Sequence, residues 1–480
     1  MKKVALLLTL VLMAANLSAQ PSWIRDSVKG AYLRLEFTRG NTLLAAHADA
    51  GSVGYIRLVS LRDFLTSLLW QTRAGVEKFN LKSDYWHSRL EGDRSADPSA
   101  VAARIEVSLY KAVLSSQISD YRSSATSLMK AYKDFAKNSS RLSRGDLDKL
   151  SGIMGVLFSQ VPDQALKFLK VAGIRPELLS GFDGLDRYYR ESSKGSADRL
   201  EGVLLMITAL KEFSGDPSAS WKYALEHRGE YDLNPLVRYQ SALAALKSGN
   251  AGVAAAMLEL VAGAKAPFPT WYYQLGRCYQ LAMKSGSDPY FMKFLNSENV
   301  DVYHHAARLR LAWNCILRDD KEGAGRYFSE IRKLPEPLTV YDKQALREAE
   351  GQGLPDRNLL KIRILFDGGA YQACVTEAEA IERSVSLPDA SRAEVLYRKA
   401  RCFQRLGNQE EAIRIFQRVL EFDGRIKSYL LPNSALQLGY LYKETGQLEL
   451  ARKYLNKCIE LNHYEFRDGI NRQAQAALRE

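Results

Sequence analysis

The stretch that decides the fold is Ser434–Asn462, SALQLGYLYKETGQLELARKYLNKCIELN. Small residues stand at Gly439 and Ala451, larger ones at Tyr442 and Leu455, and Gly446 divides the stretch into two helix-period halves. The same signature occupies Ala393–Asp423, AEVLYRKARCFQRLGNQEEAIRIFQRVLEFD. There Ala400 matches Gly439, Phe403 matches Tyr442, Gly407 matches Gly446, Ala412 matches Ala451, Phe416 matches Leu455 and Val419 matches Cys458, each at an offset of 39 residues. A small side chain lets two helix backbones approach, and an aromatic three residues on fills the adjacent gap on the same face. The glycine ends the first helix because it tolerates positive φ. Each unit is therefore expected to be a hairpin of two antiparallel helices.

Fainter copies lie upstream. LVRYQSALAALKSGNAGVAAAMLELV carries Ala242, Gly249, Ala254 and Leu258 in register, and Gly276 of WYYQLGRCYQLA follows Ala242 by 34 residues. AARLRLAWNCILRDDKEGAGRYFSEI places Ala312, Ala324, Phe328 and Ile331, and LLKIRILFDGGAYQACVTEAEAI places Gly369 at the turn and Cys374 where the alanine belongs. Six units are thus read between about Pro235 and Asn462. This pattern resembles the tetratricopeptide repeat, whose unit is about 34 residues. The resemblance implies an all-α fold: a right-handed superhelical solenoid of antiparallel helix pairs. The expected division is a signal peptide over 1–20, a helical region with degenerate repeats over 21–230, degenerate units over 231–333, a bridging segment over 334–357 and further units over 358–480, the strongest at 393–423 and 433–463. The bridge holds the helix-like VYDKQALREAE between the Pro/Gly-rich stretches KLPEPLT and EGQGLPD. The apolar segment Ser151–Ile174 and all that follows it resemble the inclusion-body clearance family of eukaryotic tetratricopeptide proteins, which is intracellular.

The N-terminus points elsewhere. MKKVALLLTLVLMAANLSAQ has a basic start, a 12-residue apolar run from Val4 to Ala15 and small residues at Leu17-Ser18-Ala19. That is the form of a secretory signal peptide, too short to span a bilayer. Cleavage is expected near Ala19 or Gln20. The Ala-Gln site resembles those of exported proteins of the Bacteroidota, which implies a soluble periplasmic protein with no lipid anchor. The net charge of +12 would suit nucleic acid in another compartment. Export excludes it here and favours an acidic peptide, a surface polymer or anionic lipid. The five cysteines, Cys278, Cys315, Cys374, Cys402 and Cys458, form no CxxC pair and are read as small core residues.

No GxSxG, HExxH, P-loop or GxGxxG motif occurs. No catalytic residue, metal ligand or cofactor is expected. The functional surface of a helical solenoid is its concave face. Residues flanking the small position of each first helix project there: Tyr239, Tyr273, Arg277, Arg363, Tyr397, Arg401, Arg405, Tyr440 and Lys443, with apolar Leu243, Trp313 and Leu359 among them. Arginine forks onto carboxylates, and tyrosine gives contact area at small entropic cost. The expected function is a non-enzymatic interaction scaffold binding a partner protein or acidic peptide in that groove. Two other readings stand beside it: a glycan- or polymer-binding protein, or helical-toroid enzyme acting on a polysaccharide, and a peripheral binder of anionic membrane.

Overall fold

The structure, a computed structural model, describes residues 22–47, 49–91, 97–159, 175, 178–231, 233–262, 266–351, 353–384, 387–461 and 467–479. The expected signal peptide, residues 160–174 of the apolar segment and His463 lie outside the described residues. Among the described residues there are 24 α-helices and no strand. In chain order they are α1 (Ser22–Leu33), α2 (Phe37–His47), α3 (Val53–Trp70), α4 (Arg73–Leu90), α5 (Pro98–Gln117), α6 (Tyr121–Asn138), α7 (Arg144–Phe158), α8 (Gly181–Glu191), α9 (Ala197–Phe213), α10 (Ala219–Tyr231), α11 (Pro235–Lys247) and α12 (Ala251–Ala262). They continue with α13 (Pro269–Leu281), α14 (Asp288–Leu295), α15 (His304–Leu317), α16 (Lys321–Arg332), α17 (Val340–Glu350), α18 (Arg357–Gly368), α19 (Tyr371–Ser384), α20 (Asp389–Arg405), α21 (Gln409–Leu420), α22 (Leu430–Glu444), α23 (Leu448–Glu460) and α24 (Arg467–Arg479). Local chemistry starts many of them. Ser143 caps α7 by accepting from the Asp146 amide, and Asn234 caps α11 just before Pro235. Both satisfy amides that a helix N-terminus leaves without partners.

The helices pack as hairpins, and the hairpins stack into an all-α helical-repeat solenoid. From α11 to α23 there are six pairs, interrupted only by α17. The turn glycines Gly249, Gly369, Gly407 and Gly446 all have positive φ. A Cβ added to Gly439 of α22 would lie 2.6 Å from Leu455 of α23. The two helices cross there because one of them carries no side chain. All five cysteines are buried and free.

The single helix α17 is keyed into the array by Asp342. Its carboxylate accepts the backbone amides of Tyr303 at 2.9 Å, His305 at 3.1 Å and Ala306 at 3.1 Å, capping α15 from a neighbouring helix. Beyond it the array curls inward. The turn at Gly369 meets the turn at Gly249 so closely that a Cβ on Gly369 would fall 1.6 Å from the Gly249 carbonyl oxygen. Helices α13 and α15 both pack on α18, and the concave side becomes a cavity.

The first five pairs close on themselves. Their leading helices form a ring in which α1 packs on α3, α3 on α5, α5 on α7, α7 on α9, and α9 back on α1. Inside the ring lies a largely buried ion network. Lys29 reaches Asp198 at 2.5 Å and Glu201 at 2.6 Å, Lys149 reaches Glu106 at 2.5 Å and Glu201 at 3.4 Å, and Arg57 reaches Glu106 at 2.8 Å and Asp146 at 2.6 Å. Each of the five ring helices contributes at least one of these charges. One apolar core runs from Ile24 in the ring to Ile364 in α18, so ring and array are continuous. Backbone contacts reinforce the junction: the Arg73 amide donates to Asp301 at 2.7 Å, and Ser119 Oγ donates to the Leu338 carbonyl at 2.8 Å.

Two outcomes are expected. Gly439→Val overpacks the α22–α23 crossing and should cost about 2 kcal/mol, read as an earlier urea midpoint. Lys149→Met removes the cation that Glu106 and Glu201 share, leaving them only Arg57 and Lys29 respectively, and should cost about 3 kcal/mol. The carboxyls of Glu106, Asp146, Asp198 and Glu201 are all held below their ordinary range: burial opposes ionisation, and the facing Arg57, Lys149 and Lys29 outweigh it. A carboxyl with a depressed folded pKa contributes stability that is complete above its unfolded pKa of about 4 and is lost as pH falls below that value. Native stability followed from pH 7 to pH 2 should therefore fall in the acid limb, and more shallowly in Lys149→Met.

Candidate functional site

The concave cavity has a volume of about 690 Å3. Arg277 enters it from α13, Arg310 from α15, Arg363 from α18, and Arg401 and Arg405 from α20. Lys211 and Lys247 stand at its edge, with only Glu212 and Asp367 as acidic lining residues. Lys211 pairs with Glu212 at 2.6 Å, and Arg363 pairs with Glu348 of α17 at 3.3 Å.

Arg277, Arg310 and Arg401 are hydrogen-bonded to neutral side chains. Arg277 donates to Gln274 Oε1 at 2.7 Å and lies 5.3 Å from the centre of the Tyr341 ring; its Nε is buried with no partner. Arg401 donates to the Tyr397 hydroxyl at 3.2 Å and faces the Phe366 ring at 5.7 Å; its Nε also lacks a partner. Arg310 donates to Gln280 Oε1 at 3.1 Å. Gln280 is held for this by its own bonds to the Arg310 carbonyl and Asn314 Oδ1. Beneath them lies Trp313, with the guanidiniums of Arg310 and Arg363 at 4.5 and 4.4 Å from its ring. Its indole N–H donates to Glu348 at 2.6 Å. Burial pushes the Arg310 guanidinium down to about 10, and the charges of Arg277 and Arg363 push the same way, against an opposing pull from Tyr273.

The cavity therefore gathers five of the residues projected to the groove: Leu243, Arg277, Arg363, Arg401 and Arg405. It does not gather the tyrosines. Tyr239 packs in the core against Phe268 and Trp271, and Tyr273 is fully buried against Phe294 and stacked on Tyr303. Tyr397 is buried against Phe416, only its hydroxyl reaching Arg401. Each of these stands three residues before the small position, where a side chain turns into the neighbouring helix. Tyr440 packs on the C-terminal core, and Lys443 Nζ donates to the Ala477 carbonyl of α24 at 3.4 Å, away from the cavity. Arg310 was missed. It lies two residues before Ala312, on the face that also brings Gln274 to the cavity, and that spacing was its only signal. Tyr303, Tyr341 and Tyr371 come from helix ends and from α17, where repeat register gives no guidance.

Among the described residues no group of His, Cys, Asp and Glu could hold a metal ion, and no helix is long and apolar enough to cross a membrane. The paired acids of the ring are all held ionised, so none of them is set up as a proton donor near neutrality.

The fold and this cavity define a helical-repeat protein with a basic concave site. Residues 391–462, which span α20 to α23, match the family model of the tetratricopeptide repeat. Among solved structures, the chain is similar to one described as the crystal structure of APC/C hetero-tetramer Cut9-Hcn1, at 11% identity, over 98% of each chain, with a TM-score of 0.26. No curated protein matches the chain.

Burial, with the Arg277 and Arg363 charges, disfavours the Arg310 cation, while Tyr273 and Asp367 favour it. Arg310→Met should keep the packing on Trp313 and raise stability by about 1 kcal/mol, read as a higher melting temperature at low salt. Loss of stability in that variant would contradict the charge assignment.

Proposed function

We propose that this chain is a non-enzymatic interaction scaffold whose basic cavity takes an acidic or C-terminal segment of another exported protein. The observation that carries the reading is the set of Arg277, Arg310, Arg401 and Arg405, four guanidiniums on one concave surface that form no ion pair among the described residues. Buried or half-buried cations without counter-charges are costly, and an incoming carboxylate relieves them through bidentate bonds. Trp313, Tyr341 and Phe366 already hold the guanidinium planes, so little ordering is left for binding. Repeat proteins bind through this face as a class. The export signal read in the sequence supports a periplasmic partner. The resemblance to the inclusion-body clearance family adds an expectation of fold and none of cellular role.

The test is fluorescence anisotropy with a labelled peptide of ten alternating Asp and Glu residues. The wild-type protein should bind it with an affinity that falls as salt rises. Arg401→Glu combined with Arg405→Glu should weaken binding at least tenfold while the circular dichroism spectrum is unchanged. Equal affinity in the double variant would reject the site.

A further inference from the structure

A second cavity lies on the axis of the N-terminal ring, independent of the basic groove. Its volume is about 240 Å3. The ring helices show a graded pattern along their length. In α3, Arg57 is followed on the same face by Leu61, Leu65 and Leu68; in α7, Lys149 is followed by Ile153 and Leu157; in α9, Glu201 is followed by Leu205 and Thr208. Steps of three and four residues keep these side chains on one stripe. The N-terminal half of the axis is thus the ion network, and the C-terminal half is a hydrocarbon-walled space. Phe64 and Tyr110, stacked at 4.2 Å, form part of its wall.

Protein interiors rarely leave voids larger than a water molecule. This one exceeds the roughly 150 Å3 apolar cavity that stays dry and takes up benzene. Its polar end discriminates by charge. Glu106, Lys149 and Glu201 are already bonded to one another and to Arg57 and Lys29. An anionic head would meet two carboxylates, and a cationic head would meet Lys149 backed by two further cations. Among the polar lining residues, which include Tyr110 and Thr208, Gln240 of α11 has its Oε1 buried with no hydrogen-bond partner. An amide oxygen needs a donor.

We propose that the ring cavity binds a neutral single-chain aliphatic alcohol, its chain along the apolar half of the axis and its hydroxyl donating to Gln240 Oε1. Neutral lipid-like alcohols are the class, and 1-decanol is the probe.

The experiment titrates the delipidated protein calorimetrically with 1-decanol, decanoate and decyltrimethylammonium below their micellar concentrations. 1-Decanol should bind with saturation at one per chain and raise the melting temperature, and both charged compounds should bind at least tenfold more weakly. Val113→Phe fills the cavity and should abolish uptake while the melting temperature stays equal or rises. Gln240→Leu keeps the walls and should lose at least fivefold in affinity for 1-decanol while uptake of n-decane is unchanged. Failure of 1-decanol to saturate, equal binding of decanoate, or unchanged 1-decanol affinity in Gln240→Leu would each overturn the assignment. Because Gln240→Leu alters only the head contact, it decides the matter even if Val113→Phe does not fold. None of these readouts touches the basic groove, so its acidic-peptide reading stands or falls separately.

Discussion

Two helix backbones reach contact distance only where one of them has almost no side chain. That constraint fixes everything else in this chain. Gly439 lies directly under Leu455, and Gly276 directly under the Phe291 ring. Each such crossing sets the angle between one helix and the next, and a series of them sets the curvature of the array. The curvature differs between the two halves. In the first it is tight enough for five leading helices to meet again as a ring. In the second it is looser, and the array leaves a concave hollow that closes only where the Gly249 and Gly369 turns touch.

The two halves also use charge in opposite ways. Inside the ring, Lys29, Arg57 and Lys149 are surrounded by Glu106, Asp146, Asp198 and Glu201, and every member has a partner. Such a network adds little net stability over apolar residues of the same volume, because desolvation offsets the attraction, but removing one member is costly. It locks five helices into one register. In the concave cavity Arg277, Arg310 and Arg401 are hydrogen-bonded to neutral side chains and form no ion pair among the described residues, while Arg363 pairs with Glu348. The balanced set therefore holds helices together, and the set around the concave cavity leaves an excess of positive charge there.

The sequence discloses these features unequally. The repeat is legible because it is local: glycine, alanine and aromatic positions recur within one hairpin, and α17 is legible because Pro and Gly bracket it. Arg277 and Arg401 are legible for the same reason, since each directly follows the small residue of its helix. The tyrosines three residues earlier share the reasoning and fail together, because that position faces the adjacent helix rather than the hollow. The ring is illegible for a different cause. Its closure depends on Lys29 meeting Glu201, 172 residues away, and no periodicity announces a pairing at that range. The graded stripes along α3, α7 and α9 are visible in the sequence, but they read as ordinary amphipathic helices until the ring places them face to face.

Helix α17 explains why a repeat array acquires a cavity rather than an open groove. It follows no repeat register, and its side chains work on three surfaces. Asp342 fastens it to the start of α15, Glu348 ties Trp313 to Arg363, and Tyr341 covers Arg277. Its Tyr341 ring lies 5.3 Å from the Arg277 guanidinium, and its Glu348 both accepts from Trp313 and pairs with Arg363. Tyr303, at the junction, adopts a left-handed backbone with φ of 62°, a conformation that costs a non-glycine residue about 1–3 kcal/mol unless its surroundings impose it. The Asp342 carboxylate bonded to its amide and the Tyr273 ring stacked on its side chain impose it here. Capping of a neighbouring helix, an ion pair and an aromatic cover over Arg277 thus meet in the one element that interrupts the repeat.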